Sequence, residues 1–363
     1  MKDKNILLTG VTGVLGKGLV EELLRHTDYR LFLLVREDRL TAVERVRTIL
    51  AARSLEGYSD RVQVFRGDVT KPDCGLPADT VAGLTTQIDV FLHLAALTAL
   101  NGSIDDCFTI NYDGTGNALN LAWKFHRGGR LARFCYFSTA FVAGSEQDYC
   151  SLEDSLPHNP AHANYYEASK YAAETRVRSA MEKGLPVTIF RPSIVVGSSA
   201  TGEVSDFNVI YPFMRLFTQG VLTTLPSNPE NSFNIVPIDF VIKAALAIAW
   251  QAGSLGKTFH LVTRSAPTIQ MLIDSAREEY PGLPEITIVP LASFNKQRLG
   301  MQEQIAYDMI APYLGYLNNH LTFDCRNTEE ALKGTSIDFP STERLFLKKL
   351  LHYAVGAGYL VLK

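Results

Sequence analysis

Asn5-Ile6-Leu7-Leu8-Thr9-Gly10-Val11-Thr12-Gly13-Val14-Leu15-Gly16 is the stretch whose reading decides the fold. Asn5–Thr9 is an apolar run of strand length, and from Leu15 onward apolar residues recur at helical spacing: Leu15, Leu19, Val20, Leu23 and Leu24. Three glycines lie between them. Gly10 permits a tight turn, Gly13 lets the backbone approach phosphate oxygens, and Gly16 lets the helix pack closely on the strand. The free N–H groups and partial positive charge of the helix start complete a seat for an anion. Glycine spacing alone is weak evidence. A strand before it and a helix after it turn the loop from Thr9 to Gly16 into an expected pyrophosphate cradle for a nicotinamide dinucleotide.

The same alternation continues outward from this loop. Strand-length apolar runs fall at Arg30–Val35, 62–65, 89–94, Arg133–Ser138 and Val187–Arg191, with helical patterns at 40–50, 109–125 and 165–183 between them. On the second helix Val43, Val46, Ile49 and Leu50 are expected on one side. Continuous apolar strands alternating with amphipathic helices predict a parallel sheet covered on both faces. The fold class is therefore α/β, a Rossmann-type doubly wound parallel sheet. After Pro192 the rhythm breaks into a stretch rich in Gly, Pro, Ser and Asn. One further strand, 258–262, is expected to rejoin the sheet, and residues 268–363 read as mostly helical. The expected division is 1–197 with 233–262 for the dinucleotide, and 198–232 with 263–363 for a smaller, mostly helical substrate-binding subdomain.

The chain has 363 residues, of which 46% are hydrophobic, ample for a large core. A net charge of −3 gives no sign of a nucleic-acid partner. Cys74, Cys107, Cys135, Cys150 and Cys325 are scattered without a CxxC pair, so neither a disulfide framework nor a zinc or other metal site is expected. No signal region or membrane-length apolar run is read, and the expected location is cytoplasmic.

The second strand ends at Arg36, where an acid would accept from a ribose 2′-hydroxyl. A cation there favours a 2′-phosphate, hence NADPH, and Arg45 could reach back from the next helix to help. Arg39 reads as a solvated side chain. Asp68 and Val69 follow the third strand, where an acid can accept from the adenine amino group. Ala95 and Ala96 close the fourth and leave room for the cofactor. His93 beside them reads as a packed strand histidine. Tyr166 and Lys170 stand at i and i+4, on one helix face. The Lys170 ammonium is expected to lower the phenol pKa of Tyr166 and to hold the nicotinamide ribose. Tyr166 then donates a proton to a substrate oxygen, with Thr139 hydrogen-bonding that oxygen and Ser138 a secondary choice. Tyr359 and Lys363 repeat the spacing at the C-terminus by coincidence.

TGVTGVLG at Thr9, HLAA at His93, Asn111 in NYDGTGNAL, STAFVAG at Ser138, YEASK at Tyr166 and RPSIVVG at Arg191 occur in order. With them the chain resembles an extended short-chain dehydrogenase/reductase. LLVRED at Leu33, GDVTKPDCGL at Gly67, RPSIVVGSSATGE at Arg191 and FNIVPIDFV at Phe233 bring it closest to the thioester-reductase and fatty acyl-CoA reductase branch, over Lys4 to Val262. The resemblance implies a triad of Thr139, Tyr166 and Lys170. It implies phosphate contacts from Gly10, Thr12, Gly13, Leu15 and Gly16, with Val14 in the same loop. It also implies that Pro192, Ser193 and Ile194 flank the nicotinamide. The implied activity is NADPH-dependent reduction of an acyl thioester, on CoA or a carrier protein, to the aldehyde, with a second reduction to alcohol left open. This chain carries no carrier domain, so a carrier would bind in trans. The alternatives are a dehydrogenase, ketoreductase or epimerase acting on an alcohol, sterol or nucleotide sugar, and a non-catalytic nucleotide sensor. The tail from Leu345 reads as a packed final helix. A lid over a long acyl chain or a peripheral membrane contact is its other reading. The short run from Tyr313 through His320 to Asp324 resembles the C-terminal part of some acyl reductases.

Overall fold

The computed structural model describes residues 4–146, 148–207, 209–318 and 321–362. His320 and Lys363 lie outside the described residues, so the runs that contain them are described only in part. The apolar runs form β1 (Asn5–Thr9), β2 (Arg30–Val35), β3 (Val62–Arg66), β4 (Val90–His93), β5 (Arg133–Phe137), β7 (Val187–Pro192) and β11 (Thr258–Leu261). They make one sheet in the order β11-β7-β5-β4-β1-β2-β3, every pair parallel. Such strands are buried on both faces, which is why they read as continuous rather than alternating. From β1 the chain winds outward through α1 (Val14–His26) and α2 (Ala42–Ala52) to β3. It then returns through α3 (Ala78–Thr85) to β4, on the other side of β1. Thr9 is in register with His93, so a crevice opens beyond the carboxyl ends of β1 and β4 where the winding reverses.

One face of the sheet is covered by α1, α2 and α8 (Ile238–Ala249), through Leu19, Val20, Leu23, Val241 and Ala245 among others. The other is covered by α5 (Gly114–Arg127) and α6 (Tyr165–Glu182), through Ala118, Leu121, Ala173 and Val177. Two readings are corrected in detail. Val43 on α2 is exposed, and Ala42 takes its place on the buried side with Val46, Ile49 and Leu50. The helix expected over 109–125 is observed, but it continues from α4 (Ile104–Cys107) and passes through a π-helical turn, Phe108–Asp113, before α5. A widened turn keeps the apolar rhythm nearly intact, so periodicity does not reveal it.

A separate apolar core gathers α7 (Ile210–Thr218), α9 (Ile269–Glu279), α10 (Met301–Leu314) and α12 (Arg344–Gly356). Short parallel pairs tie this region together: β8 (Ile194–Val196) with β10 (Ile235–Pro237), and β9 (Thr224–Pro226) with β12 (Thr287–Val289). A third pair, β6 (Cys150–Ser151) with β13 (Thr322–Phe323), precedes α11 (Arg326–Leu332), which lies on β11. The last helix, α12, packs on α9 and buries Phe346, Leu347, Leu350 and Leu351. Each such side chain contributes about 1.5–3 kcal/mol on burial. Lifting α12 away as a lid would forfeit all four, so its packed reading fits the structure. Among the described residues no helix is long and apolar enough to cross a membrane. All five cysteines are free.

Candidate active site

The glycine loop sits at the mouth of the crevice. Gly10 has φ +73°, and a Cβ there would lie 2.6 Å from the Ala95 nitrogen. A Cβ on Gly16 would lie 2.2 Å from the Gly10 carbonyl oxygen. Both positions therefore exclude any side chain. Gly13 caps α1 with no side-chain acceptor and is itself exposed, and a Cβ on it would meet only the Gly10 oxygen within 4 Å. The first turn of α1 thus offers unshared N–H groups across open space, a cradle that fits a pyrophosphate. Asp68 accepts from the Thr70 nitrogen and hydroxyl on Oδ1, at 2.9 and 2.8 Å. Val69 is buried behind it, and Ala95 and Ala96 line the chain just beyond β4. The Ser193 hydroxyl, between Pro192 and Ile194, is buried with no partner among the described residues. These residues fit a dinucleotide along the carboxyl edge of the sheet.

Arg36 is exposed directly after β2 and makes no salt bridge with another described residue. Arg45 donates to the Arg36 carbonyl at 2.5 Å and pairs with Asp38 at 3.2 Å. Its guanidinium is committed to shaping this loop. His93 is buried, with Nδ1 2.8 Å from the Thr9 hydroxyl and Nε2 3.3 Å from that of Thr115. Burial, together with the Lys170 charge, lowers its pKa to about 3, so it is a neutral strand histidine.

The structure brings Thr139, Tyr166 and Lys170 together. Thr139 follows β5 and caps the short helical turn Ala140–Ala143, accepting from the Phe141 nitrogen at 3.3 Å. The first turn of α6 is locked from outside. Asn164 caps it by accepting from the Glu167 nitrogen at 3.0 Å, and Glu167 accepts from the Ala163 nitrogen at 3.0 Å. Asn164 also donates to the Tyr316 hydroxyl at 3.1 Å, and the Tyr316 ring meets Phe141 edge-on at 4.7 Å. The C-terminal region therefore clamps both segments that carry the triad. Sequence reading missed Glu167 and Tyr316; the Asn-x-x-Glu pattern before the helix was the available signal for the first.

Burial pushes the Tyr166 phenol up to about 12, with the nearby Thr139 hydroxyl opposing the rise. This reverses the expected direction. Lys170 does not offset the burial: its Nζ donates to the Phe137 carbonyl at 2.7 Å and lies 4.4 Å from the centre of the Tyr136 ring. Burial lowers the Lys170 pKa to about 7, against the pull of Glu174. A phenol with a raised pKa stays protonated at neutral pH, the state needed to give a proton to an oxyanion. Asn111, on the π-helical turn, exchanges hydrogen bonds with the Leu97 backbone at 2.7 and 3.0 Å and donates to Ser169 at 2.9 Å. It fixes the chain beyond Ala96 to the catalytic helix. Its place in a motif was legible, but its role depends on a turn that the sequence did not announce.

A small apolar cavity in the second core is lined by Ile194, Phe213, Phe233, Leu272, Tyr313 and Tyr316. Among the described residues no cluster of His, Cys, Asp and Glu suits a metal ion.

Sheet order, glycine loop and triad define an extended short-chain dehydrogenase/reductase. The model of the family described as "Male sterility protein" matches residues 8–245, and the chain belongs to this family. Fatty acyl-CoA reductase wat of Drosophila melanogaster is 27% identical over 285 residues, 69% of this chain and 54% of that protein. The L-2-aminoadipate reductase large subunit of Eremothecium gossypii is 30% identical over 279 residues, 71% of this chain and 19% of that protein. The chain thus spans about half the length of the first relative and a fifth of the second. Among solved structures, the terminal R domain from the myxalamid PKS-NRPS biosynthetic pathway superposes with a TM-score of 0.85 at 28% identity. It covers 99% of this chain, and 92% of that one is covered.

Proposed function

We propose that the chain reduces an acyl thioester to an aldehyde, with NADPH as the electron donor. The observation that carries this reading is the meeting of Tyr166, in the first turn of α6, with Thr139 at the carboxyl end of β5, beside a Lys170 ammonium docked on the Phe137 carbonyl. Such a pair presents donors to one oxygen and suits the reductive direction. The relatives named above, a fatty acyl-CoA reductase and an aminoadipate reductase, support an acyl group as the substrate.

In this reading residues 1–197 and 233–262 bind the cofactor, and 198–232 and 263–363 receive the acyl group. Gly10, Thr12, Gly13, Val14, Leu15 and Gly16 hold the pyrophosphate, and Asp68, Val69, Ala95 and Ala96 the adenosine side. Pro192, Ser193 and Ile194 back the nicotinamide, which supplies the hydride when bound. The exposed, unpaired Arg36 recognises the 2′-phosphate, supported by Arg45, which orders its backbone. Lys170 holds the ribose beside Tyr166. Thr139 and Tyr166 bind the thioester oxygen and stabilise the negative charge that develops on it. Tyr166 delivers its proton there, giving a hemithioacetal. Its collapse breaks the C–S bond and leaves aldehyde and thiol.

The test is purified protein with NADPH and a panel of acyl-CoA and carrier-bound acyl thioesters, following cofactor oxidation and free thiol together. Equal amounts of both are expected. Cofactor oxidation on ketones without thiol release from any thioester would overturn the reading in favour of a ketoreductase.

A further inference from the structure

Lys170 sits in a buried cluster of charges that the triad alone does not explain. One helical turn further along α6 lies Glu174, fully buried. Its carboxylate is gripped by the equally buried Arg191 of β7, with contacts of 2.6, 3.0 and 3.1 Å, and by Arg178 at 2.9 Å. Arg191 in turn donates to the Leu152 and Ser155 carbonyls, each at 2.9 Å. Its remaining contact is His260, whose Nε2 lies 3.2 Å away while Nδ1 faces the Asp324 carbonyl at 2.6 Å. Burial and the Arg191 charge lower the His260 pKa to about 3, so the ring is neutral and accepts through Nε2.

Resting on the reading of Lys170 given above, we propose that Glu174, immobilised by Arg191 one helical turn along α6, is the positioning residue that favours the ammonium form of Lys170, docked on the end of β5. The groups facing Lys170 are the Tyr136 ring, the Phe137 carbonyl, neutral His93 and, one turn away, Glu174. Glu174 is the carboxylate among them. It serves three cations: Lys170, Arg178 and Arg191. When its charge is removed the cluster must shed positive charge, and the guanidinium groups cannot release a proton near neutral pH. Lys170 can, so the loss falls on the residue that holds the cofactor ribose. The isolated YxxxK spacing concealed this dependence, although an acid at the next helical turn was visible in the sequence.

The experiment compares wild type, Glu174→Gln and Glu174→Asp. Two readouts are taken: the pH profile of kcat/KM with NADPH, and an NMR titration of isotope-labelled lysine, with the Lys170 signal assigned by its loss in Lys170→Met. Glu174→Gln is expected to move the alkaline limb and the Lys170 titration down by about one pH unit or more. Glu174→Asp should fall between it and wild type. A purely structural Glu174 would lower Tm but leave both the limb and the titration unmoved, which overturns the proposal. Should Glu174→Gln fail to fold, an unchanged Lys170 titration in Glu174→Asp overturns it equally. The titration needs no turnover, so it decides the role of Glu174 even where no thioester is reduced.

Discussion

At the scale of the residue, the proposed reaction turns on the phenol of Tyr166, whose burial raises its pKa so that it carries its proton well beyond neutral pH. Tyr166→Phe removes a hydroxyl but no packing volume. It is expected to lower kcat by about 100- to 10,000-fold, the range for a positioned proton donor, while NADPH still binds. Fluorescence titration with NADPH separates the two effects. Arg36 is the matching case for the cofactor. It is exposed and makes no salt bridge with another described residue, so Arg36→Ala is expected to leave the fold intact. Losing a charged hydrogen bond to the 2′-phosphate should cost about tenfold to a hundredfold in NADPH affinity and little in NADH affinity. Equal weakening of both would show that Arg36 does not read the phosphate.

At the scale of the element, the turn between β1 and α1 sets how closely the helix approaches the sheet. Gly16→Ala forces a Cβ to within 2.2 Å of the Gly10 oxygen, and that contact is with backbone, which cannot swing away. We expect a loss of about 1–3 kcal/mol from overpacking, read as a lower denaturation midpoint, together with weaker dinucleotide binding. Unchanged stability would mean that the turn is looser than the structure shows. The strands and main helices were legible because two-sided burial writes long apolar runs into β1, β2, β5 and β7. The π-helical turn at Phe108–Asp113 was not, since one wider turn barely disturbs a 3.6-residue rhythm. Asn111 therefore showed its motif without its task. The phenol pKa was misjudged for a related reason: the Tyr166–Lys170 spacing was visible, but the depth of burial that dominates both groups is a tertiary property.

At the scale of the whole molecule, the C-terminal region holds the catalytic segment in place rather than merely covering it. Tyr316 meets both Asn164 and Phe141, so the first turn of α6 and the turn after β5 are fixed against each other. The buried Glu174–Arg191 pair joins α6 to β7 in the same way. Burial would raise the Glu174 pKa, yet Arg191 and Arg178 outweigh it and hold the carboxyl at about 2, below its ordinary 4.5. A carboxylate with a depressed folded-state pKa stabilises the fold above its unfolded pKa and loses that contribution as pH falls through the folded value. The stability advantage of wild type over Glu174→Gln should therefore shrink as pH falls from about 4.5 to about 2, measured as the difference in Tm. A difference constant across that window would contradict an ionised, paired Glu174.

The proposed reaction requires hydride to reach the carbonyl carbon of a thioester held between Thr139 and Tyr166. Its most direct test uses NADPH deuterated at the transferring carbon of the nicotinamide ring, with mass spectrometry of the product. The expected product is an aldehyde bearing the label on its carbonyl carbon, with an equal amount of thiol released. An intact thioester, or an aldehyde without the label, would contradict it.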